Sequence, residues 1–451
     1  MDSTVQQLIQ DMYASHGSVQ RQQAGGQGAD QRVVRGFNRL LVLNYVRENG
    51  PLPRVQLAQE TGLSRTTVSN IIDTLLQEGF VREGDLLDAA PVGGRRAMLV
   101  HFNADAGRIM GLDVGRTHLA MILTDLQAEI IARTSGPFEM ARGPEICLPL
   151  LINEVRAFVE SASVPWSRIV GIGVGIPGPL DARQHTLSGP PGMPGWDGVD
   201  VWQALHQAFN VPLYLDNDAN MGALSECRYG AGMGSDYLAY VKVGTGIGAG
   251  LIFNGRIFRG HGGSAGELGH MTIDENGSLC SCGNRGCLET LVSASALIQK
   301  AHEAVSLGIT NHLLRLTSGN SQTMSIETIA RAARDGDRFS LRLLSEAASQ
   351  LAVAMAGTVN LLNPELIVLG GGLSAGAGDL LLPELERAVK QRVMIESAGQ
   401  VQLQLSSLSE TDWARGGALL IARRALEEMF FDFTQRDRRG SRKRKQDSGA
   451  N

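Results

Sequence analysis

The loop from Glu267 to Glu289 constrains this chain more than any other stretch. Its sequence, ELGHMTIDENGSLCSCGNRGCLE, contains one histidine and three of the chain's five cysteines: His270, Cys280, Cys282 and Cys287. One imidazole and three thiolates form a complete tetrahedral ligand set for zinc and leave no position for water, so the ion would be structural. Buried cysteines without a metal are the alternative. Three cysteines within eight positions, with Gly283 and Gly286 letting the chain turn around an ion, favour zinc.

The composition is that of a globular protein with several domains. The 451 residues exceed the usual size of one domain, and hydrophobic residues make up 43% of them. No run approaches the roughly 20 apolar residues of a membrane helix, and the N-terminus lacks a secretory signal, so we expect a cytoplasmic protein without a membrane partner. The net charge of −5 excludes a surface that is basic throughout. Any DNA contact must therefore come from one local basic module.

The N-terminal part of the chain has a helix-turn-helix pattern. Residues 1–31 are rich in glutamine and glycine and predict a flexible arm. A helical pattern then runs from Gly36 to Asn49, and a second short helix ends at Gly62. Ser64 caps a third helix, on which apolar residues recur at helical spacing: Val68, Ile71, Ile72 and Leu75. Two short helices joined by a glycine turn are typical of DNA-binding domains.

A DNA-binding wing is predicted directly after these helices. Residues 80–102 have the pattern of a strand, a glycine-rich tip and a returning strand, with Arg95 and Arg96 at the base. A small three-helix domain with solvated arginines is the alternative, but the order of helices, wing and arginines favours a winged helix-turn-helix domain over residues 32–102. The predicted DNA contacts on the third helix are small polar or basic groups: Ser64, Arg65, Thr66, Thr67, Ser69 and Asn70.

Three junctions between strand and loop carry groups that can contact phosphates. In residues 108–125, two apolar strands flank Asp113, Gly115 and Thr117, which suit either a metal-bound phosphate or an ordinary polar hairpin. Gly244-Thr245-Gly246 separates two further apolar strands and suits a phosphate, a sugar or a tight turn. A buried strand in residues 364–378 opens on three glycines that include Gly371, a plausible nucleotide site.

A fourth junction, in residues 211–232, presents polar side chains at the end of a buried strand: Asp216, Asn217, Asp218 and Asn220. Open α/β sheets place ligands at the carboxyl ends of their strands. Capping of the following helix is the alternative, although one residue suffices for that. Residues 291–362 are mostly helical, and a last helix is predicted over about 411–430. The tail 433–451 is basic and predicted to be disordered, either attracting DNA weakly or keeping the protein in solution.

Together these motifs resemble the ROK family of repressors and sugar kinases. The motifs are ELGH, CSCGNRGCLE, DNDAN, VGTGIGAG and LGGGLS, behind a winged helix, and the resemblance extends from about Arg35 to Phe430. It implies an α/β fold, in which an actin-like ATPase (ribonuclease H-like) domain of two lobes occupies residues 103–432. It also implies a homodimer or homotetramer with a sugar in the cleft between the lobes.

The resemblance further implies roles for individual residues. Those matching the family's sugar ligands are Asn217, Asp218, Glu267, His270 and Glu289. His270 would bind zinc through one ring nitrogen and a sugar hydroxyl through the other. In the family's kinases the residue matching Asp218 is the catalytic general base, while Mg²⁺ and glycine loops hold ATP. The residues matching the phosphate and adenosine loops are Asp113, Gly115, Thr117, Gly244, Thr245, Gly246 and Gly371.

One departure concerns the first phosphate loop. The family's kinases usually carry two adjacent glycines where this chain has Gly115-Arg116. The arginine could crowd a phosphate or contact it, and the sequence leaves both possibilities open.

Three functional hypotheses follow. The first is a transcriptional regulator, most simply a repressor of carbohydrate metabolism genes, which binds operator DNA and responds to a sugar or sugar phosphate. The second is an ATP-dependent hexose or N-acetylhexosamine kinase, alone or in addition to regulation, with Mg²⁺ and ATP as cofactors. The third is a sugar sensor that acts through a protein partner. The winged domain favours the regulator, because a metabolic kinase has no use for residues 36–102.

Overall fold

A computed structural model describes residues 27–86, 97–181, 186–189, 192–394 and 400–422, with side chains from Val34 onward apart from that of Leu86. The predictions made for Arg95, Arg96, the first 26 residues and the tail lie outside these ranges. Within them, no helix has the length and apolar character that crossing a membrane demands.

The N-terminal domain is a winged helix-turn-helix, as predicted. Strands β1 and β2 flank β3 in an antiparallel sheet, and the hairpin of β2 and β3 is the stem of the wing. The elements are α1 (Gln27–Asn49), β1 (Leu52–Pro53), α2 (Arg54–Thr61), α3 (Arg65–Gln77), β2 (Val81–Leu86) and β3 (Met98–Phe102).

The first helix is longer than the sequence pattern indicates. It begins at Gln27, inside the segment expected to be a flexible arm, rather than near Gly36. The prediction followed the apolar residues, which mark only the buried part of a helix. Gln and Ala are good helix formers, and they extend α1 beyond that buried part.

The recognition helix α3 has the cap that its sequence predicts. The hydroxyl oxygen of Ser64 accepts a hydrogen bond from the backbone N–H of Thr67 at 3.1 Å. Gly62, at φ +71°, forms the turn before it. The buried face consists of the predicted residues: Val68, Ile71, Ile72 and Leu75.

The first lobe is built on a five-stranded sheet in the order β10-β7-β4-β5-β6. Strands β4, β5 and β6 are an antiparallel meander, and β7 and β10 run parallel to β4. Its elements are β4 (Arg108–Val114), β5 (His118–Thr124), β6 (Ile130–Pro137), α4 (Pro144–Ser161), β7 (Ile169–Ile176), β8 (Leu180–Asp181), β9 (Thr186–Leu187), α5 (Val201–Phe209) and β10 (Leu213–Asn217).

The second lobe repeats this plan in a sheet with the order β13-β12-β11-β14-β15. Strands β11, β12 and β13 form an antiparallel meander, with β14 and β15 parallel to β11. Helix α6 (Asp218–Tyr229) leads into this lobe and packs on its sheet. The strands are β11 (Tyr237–Val243), β12 (Ile247–Phe253), β13 (Arg256–Ile257), β14 (Leu366–Gly370) and β15 (Gln402–Leu405).

Helices cover the second sheet, as the helical pattern of residues 291–362 predicts. They are α7 (Leu288–Val292), α8 (Ala294–Ser306), α9 (His312–Leu316), α10 (Ile326–Arg334), α11 (Arg338–Leu362) and α12 (Gly372–Lys390). The short helix α13 (Glu410–Trp413) contacts α6 and strands β5 and β6 of the first sheet. Residues 415–422 form the described part of α14, whose Ala418 and Ile421 lie in the same buried cluster as Ile109 of β4. A turn at Ala414 therefore divides the single last helix that the sequence predicts.

The winged domain and the first lobe share one hydrophobic core. Leu43 and Ile72 of the winged domain belong to the same buried cluster as Ile109 of β4 and Ile122 of β5. Asn103 also joins the two parts, since its backbone N–H donates to the carbonyl of Phe80 at 2.9 Å. The winged domain is thus packed directly on the sheet that forms one wall of the cleft.

Candidate functional site

A cleft of about 390 Å³ lies between the two lobes, at the ends of the strands. Its walls are the hairpin turn after β4, the turn after β11, the start of α6 and the loop before α7. Ten of the residues predicted for the sugar and nucleotide sites line it: Gly115, Thr117, Asn217, Asp218, Gly244, Thr245, Gly246, Glu267, His270 and Gly371. Asp113 and Glu289 lie behind this surface, each with its carboxylate covered by a basic side chain.

The junction of β10 and α6 supplies two polar side chains to the cleft. Asn217 caps α6, because its Oδ1 accepts the backbone N–H of Ala219 at 2.8 Å. Its Nδ2 donates to the carbonyl of Gly178 at 3.2 Å, which fixes the amide against the neighbouring loop. Asp218 begins the helix, accepts the same backbone N–H through its Oδ1 at 2.8 Å, and lines the cleft. The capping interpretation is confirmed for Asn217, and both residues line the cleft.

Asp216 and Asn220 hold the backbone of this junction in place through buried hydrogen bonds. Asp216 is buried, and its Oδ1 accepts hydrogen bonds from the Asn217 backbone N–H at 2.8 Å and from Asn220 Nδ2 at 2.7 Å. Its other oxygen pairs with the guanidinium of Arg259. Four polar residues in five positions exceed the need of a cap because two of them hold the loop in place.

A buried lysine lies between the two carboxylates of the cleft. Lys242, on β11, places Nζ 2.9 Å from Asp218 Oδ2 and 3.6 Å from Asp113 Oδ1. Burial lowers the pKa of Lys242, but the two carboxylates outweigh it and raise that pKa above its ordinary value. Burial likewise opposes ionisation of Asp113, yet Lys242 and His118 hold the pKa of this carboxyl below its usual range. Lys242 and Asp113 are therefore both charged at neutral pH.

His118 is a second partner of Asp113. Its Nε2 lies 3.4 Å from Asp113 Oδ2. The imidazole stands so close to the turn that a Cβ on Gly115 would lie 2.0 Å from it. Gly115 is therefore required for the packing of His118, in addition to any contact with a phosphate.

Arg116 forms an ion pair with Glu289, and its guanidinium also lies against the glycine turn after β11, since a Cβ on Gly246 would be 2.9 Å from it. Its two terminal nitrogens lie 3.1 and 3.4 Å from the two carboxylate oxygens of Glu289. Oε2 of Glu289 also accepts the backbone N–H of Ile247 at 2.8 Å. This ion pair joins the two lobes across the cleft. It covers Glu289, which is only 8% exposed.

Glu267 and His270 form the wall next to the metal loop. Nε2 of His270 lies 3.9 Å from Glu267 Oε2, while Nδ1 faces the cysteines. Burial and the nearby charges of Asp218 and Glu289 raise the pKa of Glu267 to about 7. The carboxylates of the cleft therefore repel one another, and Lys242 and Arg116 offset part of that repulsion.

The four predicted metal ligands come together in space. The candidate ligand atoms of His270, Cys280, Cys282 and Cys287 all lie within 4.8 Å of one another. Cys280 Sγ is 3.7 Å from His270 Nδ1, and the sulfurs of Cys282 and Cys287 are 3.6 Å apart. Zinc bonds of about 2.0 to 2.3 Å in a tetrahedron require such separations between ligands. The set fits zinc and fills all four positions, so a bound ion would brace the loop.

The backbone of this loop depends on glycine. Gly283 and Gly286 have positive φ angles of +94° and +60°. A Cβ on Gly286 would lie 1.5 Å from the carbonyl oxygen of Asp274, so a side chain there would force the loop apart. The loop thus delivers His270 and Glu289 to the cleft from the two ends of one glycine-dependent turn.

On the winged domain, the predicted DNA-contacting side chains differ in availability. Arg65, Thr66 and Asn70 are exposed, whereas Thr67 and Ser69 are half-buried. The hydroxyl of Ser64 lies 2.8 Å from that of Thr67 and serves the helix cap. Arg65 is therefore the strongest candidate for a phosphate or base contact on α3.

Sequence reasoning missed Lys242 and His118 as cleft residues. Lys242 lies two residues before the turn glycine Gly244, and His118 lies three residues after Gly115, so each belongs to a strand that flanks a predicted phosphate loop. A single lysine inside the apolar strand YLAYVKV was the available signal, because a lysine is rarely buried without a partner. Its partners, Asp113 and Asp218, are distant in sequence.

Comparisons with known proteins establish the family. The ROK family profile matches residues 109–424, and a winged helix-turn-helix DNA-binding profile matches residues 38–82. The first match covers well over half of the chain, which therefore belongs to the ROK family. The predicted fold class, a two-lobed α/β ROK domain behind a winged helix-turn-helix domain, is confirmed.

Individual relatives include regulators and kinases. A xylose repressor of Caldicellulosiruptor bescii is 34% identical over 379 residues, which cover 84% of this chain and 93% of the repressor. The crystal structure of a ROK family transcriptional regulator, a homolog of the E. coli MLC protein, matches with a TM-score of 0.72 at 26% identity, covering 88% of this chain and 97% of that one. The crystal structure of a Streptomyces griseus ROK family glucokinase in complex with glucose and AMPPNP matches with a TM-score of 0.62 at 27% identity. The match covers 70% of this chain and 99% of the glucokinase.

Proposed function

We propose that this protein is a DNA-binding transcriptional repressor of carbohydrate metabolism genes, and that a sugar or sugar phosphate in the interlobe cleft controls it. The observation that carries this proposal is that strand β4 connects the core of the winged domain to the cleft. Ile109 at its start belongs to the core shared with the winged domain, and Asp113 near its end lies behind the cleft. Four residues of strand span about 13 Å, so one rigid element connects the two sites.

The cleft is suited to hydroxyl groups. Asn217, Asp218, Glu267 and His270 line it and offer amide, carboxylate and imidazole groups at different angles. Glu289 would join them when Arg116 moves aside. Zinc on His270 Nδ1 would fix the tautomer and leave Nε2 for the ligand, so the metal loop would order the sugar site.

The winged domain supplies the DNA-binding surface. We take residues 32–102 as this domain, with Arg65 of α3 as its principal described contact. Two such domains in a homodimer or homotetramer would bind the two halves of a palindromic operator, with their recognition helices in successive major grooves.

Closure of the lobes around the ligand would couple the two sites. The winged domain is packed on the first lobe, so movement of that lobe relative to its partner lobe changes the spacing of the recognition helices. A change from mostly bound to mostly free DNA requires the ligand to favour one conformation by about 5.5 kcal/mol. A buried cleft with several hydrogen-bonding groups can provide differential affinity of this size.

Operator binding tests the proposal directly. Fluorescence anisotropy with DNA from upstream of the protein's own gene should show tight binding by the full-length protein. Arg65→Ala should weaken it by at least about fivefold, because a phosphate or base contact is worth roughly 1–3 kcal/mol. Arg342→Ala, at an exposed arginine of α11, is the matched control and should change nothing.

Titration of the protein with a panel of pentoses, hexoses and their phosphates, with and without that DNA, then identifies the effector and the sign of the coupling. Absence of specific DNA binding, or equal affinity in the Arg65 variant, would remove the repressor proposal.

A further inference from the structure

The ammonium group of Lys242 is almost buried and faces two carboxylates. It lies between Asp113 of the first lobe and Asp218 at the start of α6, and its side chain is only 13% exposed. An isolated buried ammonium is costly, so such a lysine persists where carboxylates neutralise it. Here two carboxylates do so, at 2.9 and 3.6 Å.

Lys242 and Asp113 occupy equivalent positions in the two lobes. Each lies two residues before the glycine that opens its hairpin turn, in DVGRT and KVGTG. Asp113 pairs with Ala120 and Gly175 of its neighbouring strands, and Lys242 pairs with Gly248 and Gly370. The repeated plan of the lobes therefore brings one acid and one base face to face across the cleft.

These charges conflict with a divalent cation. The resemblance to sugar kinases implies Mg²⁺ beside the first phosphate loop, where Asp113 is the carboxylate. Mg²⁺ requires about six oxygen ligands at roughly 2.0–2.1 Å and is drawn to uncompensated carboxylates. At this site both carboxylates already face an ammonium, and Mg²⁺ would stand within a few ångströms of that positive charge. The residues present do not fit the ion.

We infer that Lys242 is a built-in cation that replaces the divalent metal of the family's kinases, so that the cleft binds its sugar without Mg²⁺ or a metal-bound nucleotide. Asp218 then serves as a hydrogen-bond acceptor held by Lys242. Lys242 and Asp113 form one ion pair between the lobes, and Arg116 and Glu289 form a second, so the protein's own charges bridge the cleft. The inference rests on the proposed function only in taking the cleft as the sugar site.

The test uses Mn²⁺ alone as the probe and the full-length, zinc-loaded protein. Electron paramagnetic resonance measures free and bound Mn²⁺ for the wild type, for Lys242→Met and for Lys242→Arg. The wild type and the arginine variant should show no bound Mn²⁺ that depends on Asp113. Lys242→Met, which has similar length and no charge, should bind one Mn²⁺ at least about tenfold more tightly than the wild type.

A double variant assigns the site. Lys242→Met combined with Asp113→Asn should lose the gained Mn²⁺ site, and it leaves no uncompensated charge at the deeply buried position of Asp113. The inference would be overturned if the wild type binds Mn²⁺ and Asp113→Asn abolishes that binding. This comparison does not depend on the folding of any Lys242 variant. Failure of Lys242→Met to gain a site would overturn it too. Neither result involves sugar or DNA, so the repressor proposal would stand or fall separately.

Discussion

The two hairpin turns that face each other across the cleft have the same architecture and opposite chemistry. In the first lobe, β4 and β5 are joined by Gly115, Arg116 and Thr117, and in the second lobe β11 and β12 are joined by Gly244, Thr245 and Gly246. Each turn has three residues and opens with a glycine. The acid before the first turn, Asp113, is matched by Lys242 before the second.

This difference shows that the repeated fold fixes where a side chain lies and leaves its charge free to vary. A carboxylate on both sides would create a site for a cation. A carboxylate opposite an ammonium creates an internal ion pair that bridges the lobes. Arg116 and Glu289 add a second pair of opposite polarity, with the base on the first lobe and the acid on the second. Substitutions that remove these groups should differ in the size of their effects.

The largest effect is expected when the buried pair is broken on one side. Asp113 is 1% exposed, so Asp113→Asn leaves Lys242 with one carboxylate fewer in a buried site. We expect the free energy of unfolding to fall by about 3 kcal/mol, measured by urea denaturation. Asp379→Asn, in an exposed ion pair with Arg334, is the matched control and should cost less than about 1 kcal/mol. Equal effects of the two substitutions would show that the Asp113 pair is unimportant.

The double variant sharpens this comparison. Lys242→Met alone leaves Asp113, 1% exposed, and Asp218, 14% exposed, without their shared cation. Adding Asp113→Asn removes the more deeply buried of these charges, so the double variant should be more stable than Lys242→Met alone. Additive losses in the double variant would mean that the two residues act independently.

The second-largest effect is expected in the zinc loop, which belongs to the second lobe. The described residues of the first lobe contain no equivalent cluster of metal-binding side chains. Cys282→Ser removes one ligand and should weaken sugar binding by about 10- to 100-fold, measured by calorimetry, because His270 loses its fixed orientation. Operator affinity should remain unchanged, since the loop lies in the second lobe. Cys227→Ser, at a cysteine outside the cluster, should leave both unchanged. Joint loss of sugar and DNA binding in the Cys282 variant would assign the loop to the fold or the dimer instead.

The smallest effect is expected at Arg116. Its guanidinium covers Glu289, so a sugar that uses Glu289 must displace it. Arg116→Ala should therefore strengthen sugar binding by up to about fivefold in the same calorimetric titration, which corresponds to the roughly 1 kcal/mol of one partly exposed ion pair. The exposed Arg142 of the first lobe provides the control substitution. Weaker binding by Arg116→Ala would show instead that the arginine is itself a sugar ligand.

Local signals explain what could be predicted from the sequence. Ser64 as a helix cap, the buried face of α3 and the gathering of four metal-binding side chains all follow from residues close together in the chain. Cap chemistry, helical spacing and ligand spacing are properties of short segments, so one sequence is enough to find them.

The ion pairs of the cleft could not be predicted in the same way. Asp113 and Lys242 meet only because two lobes with the same strand order close on each other, and Arg116 reaches a glutamate 173 positions away. Gly115 and Arg116 could be recognised as an unusual turn, but the direction of the arginine depends on the charge of that distant partner. Hence the sequence points to the cleft residues while the structure supplies their pairing.

Operator binding with and without Mg-ATP tests the central claim most directly. Fluorescence anisotropy of the full-length protein on its upstream DNA is measured against a panel of aldoses, first without added Mg²⁺ or ATP and then with both. We predict that one sugar changes operator affinity by the same factor in the two series, and that no sugar-dependent ADP forms in the second. A response that requires Mg-ATP, or ADP formation that Asp218→Asn abolishes, would contradict a cleft whose cation is Lys242.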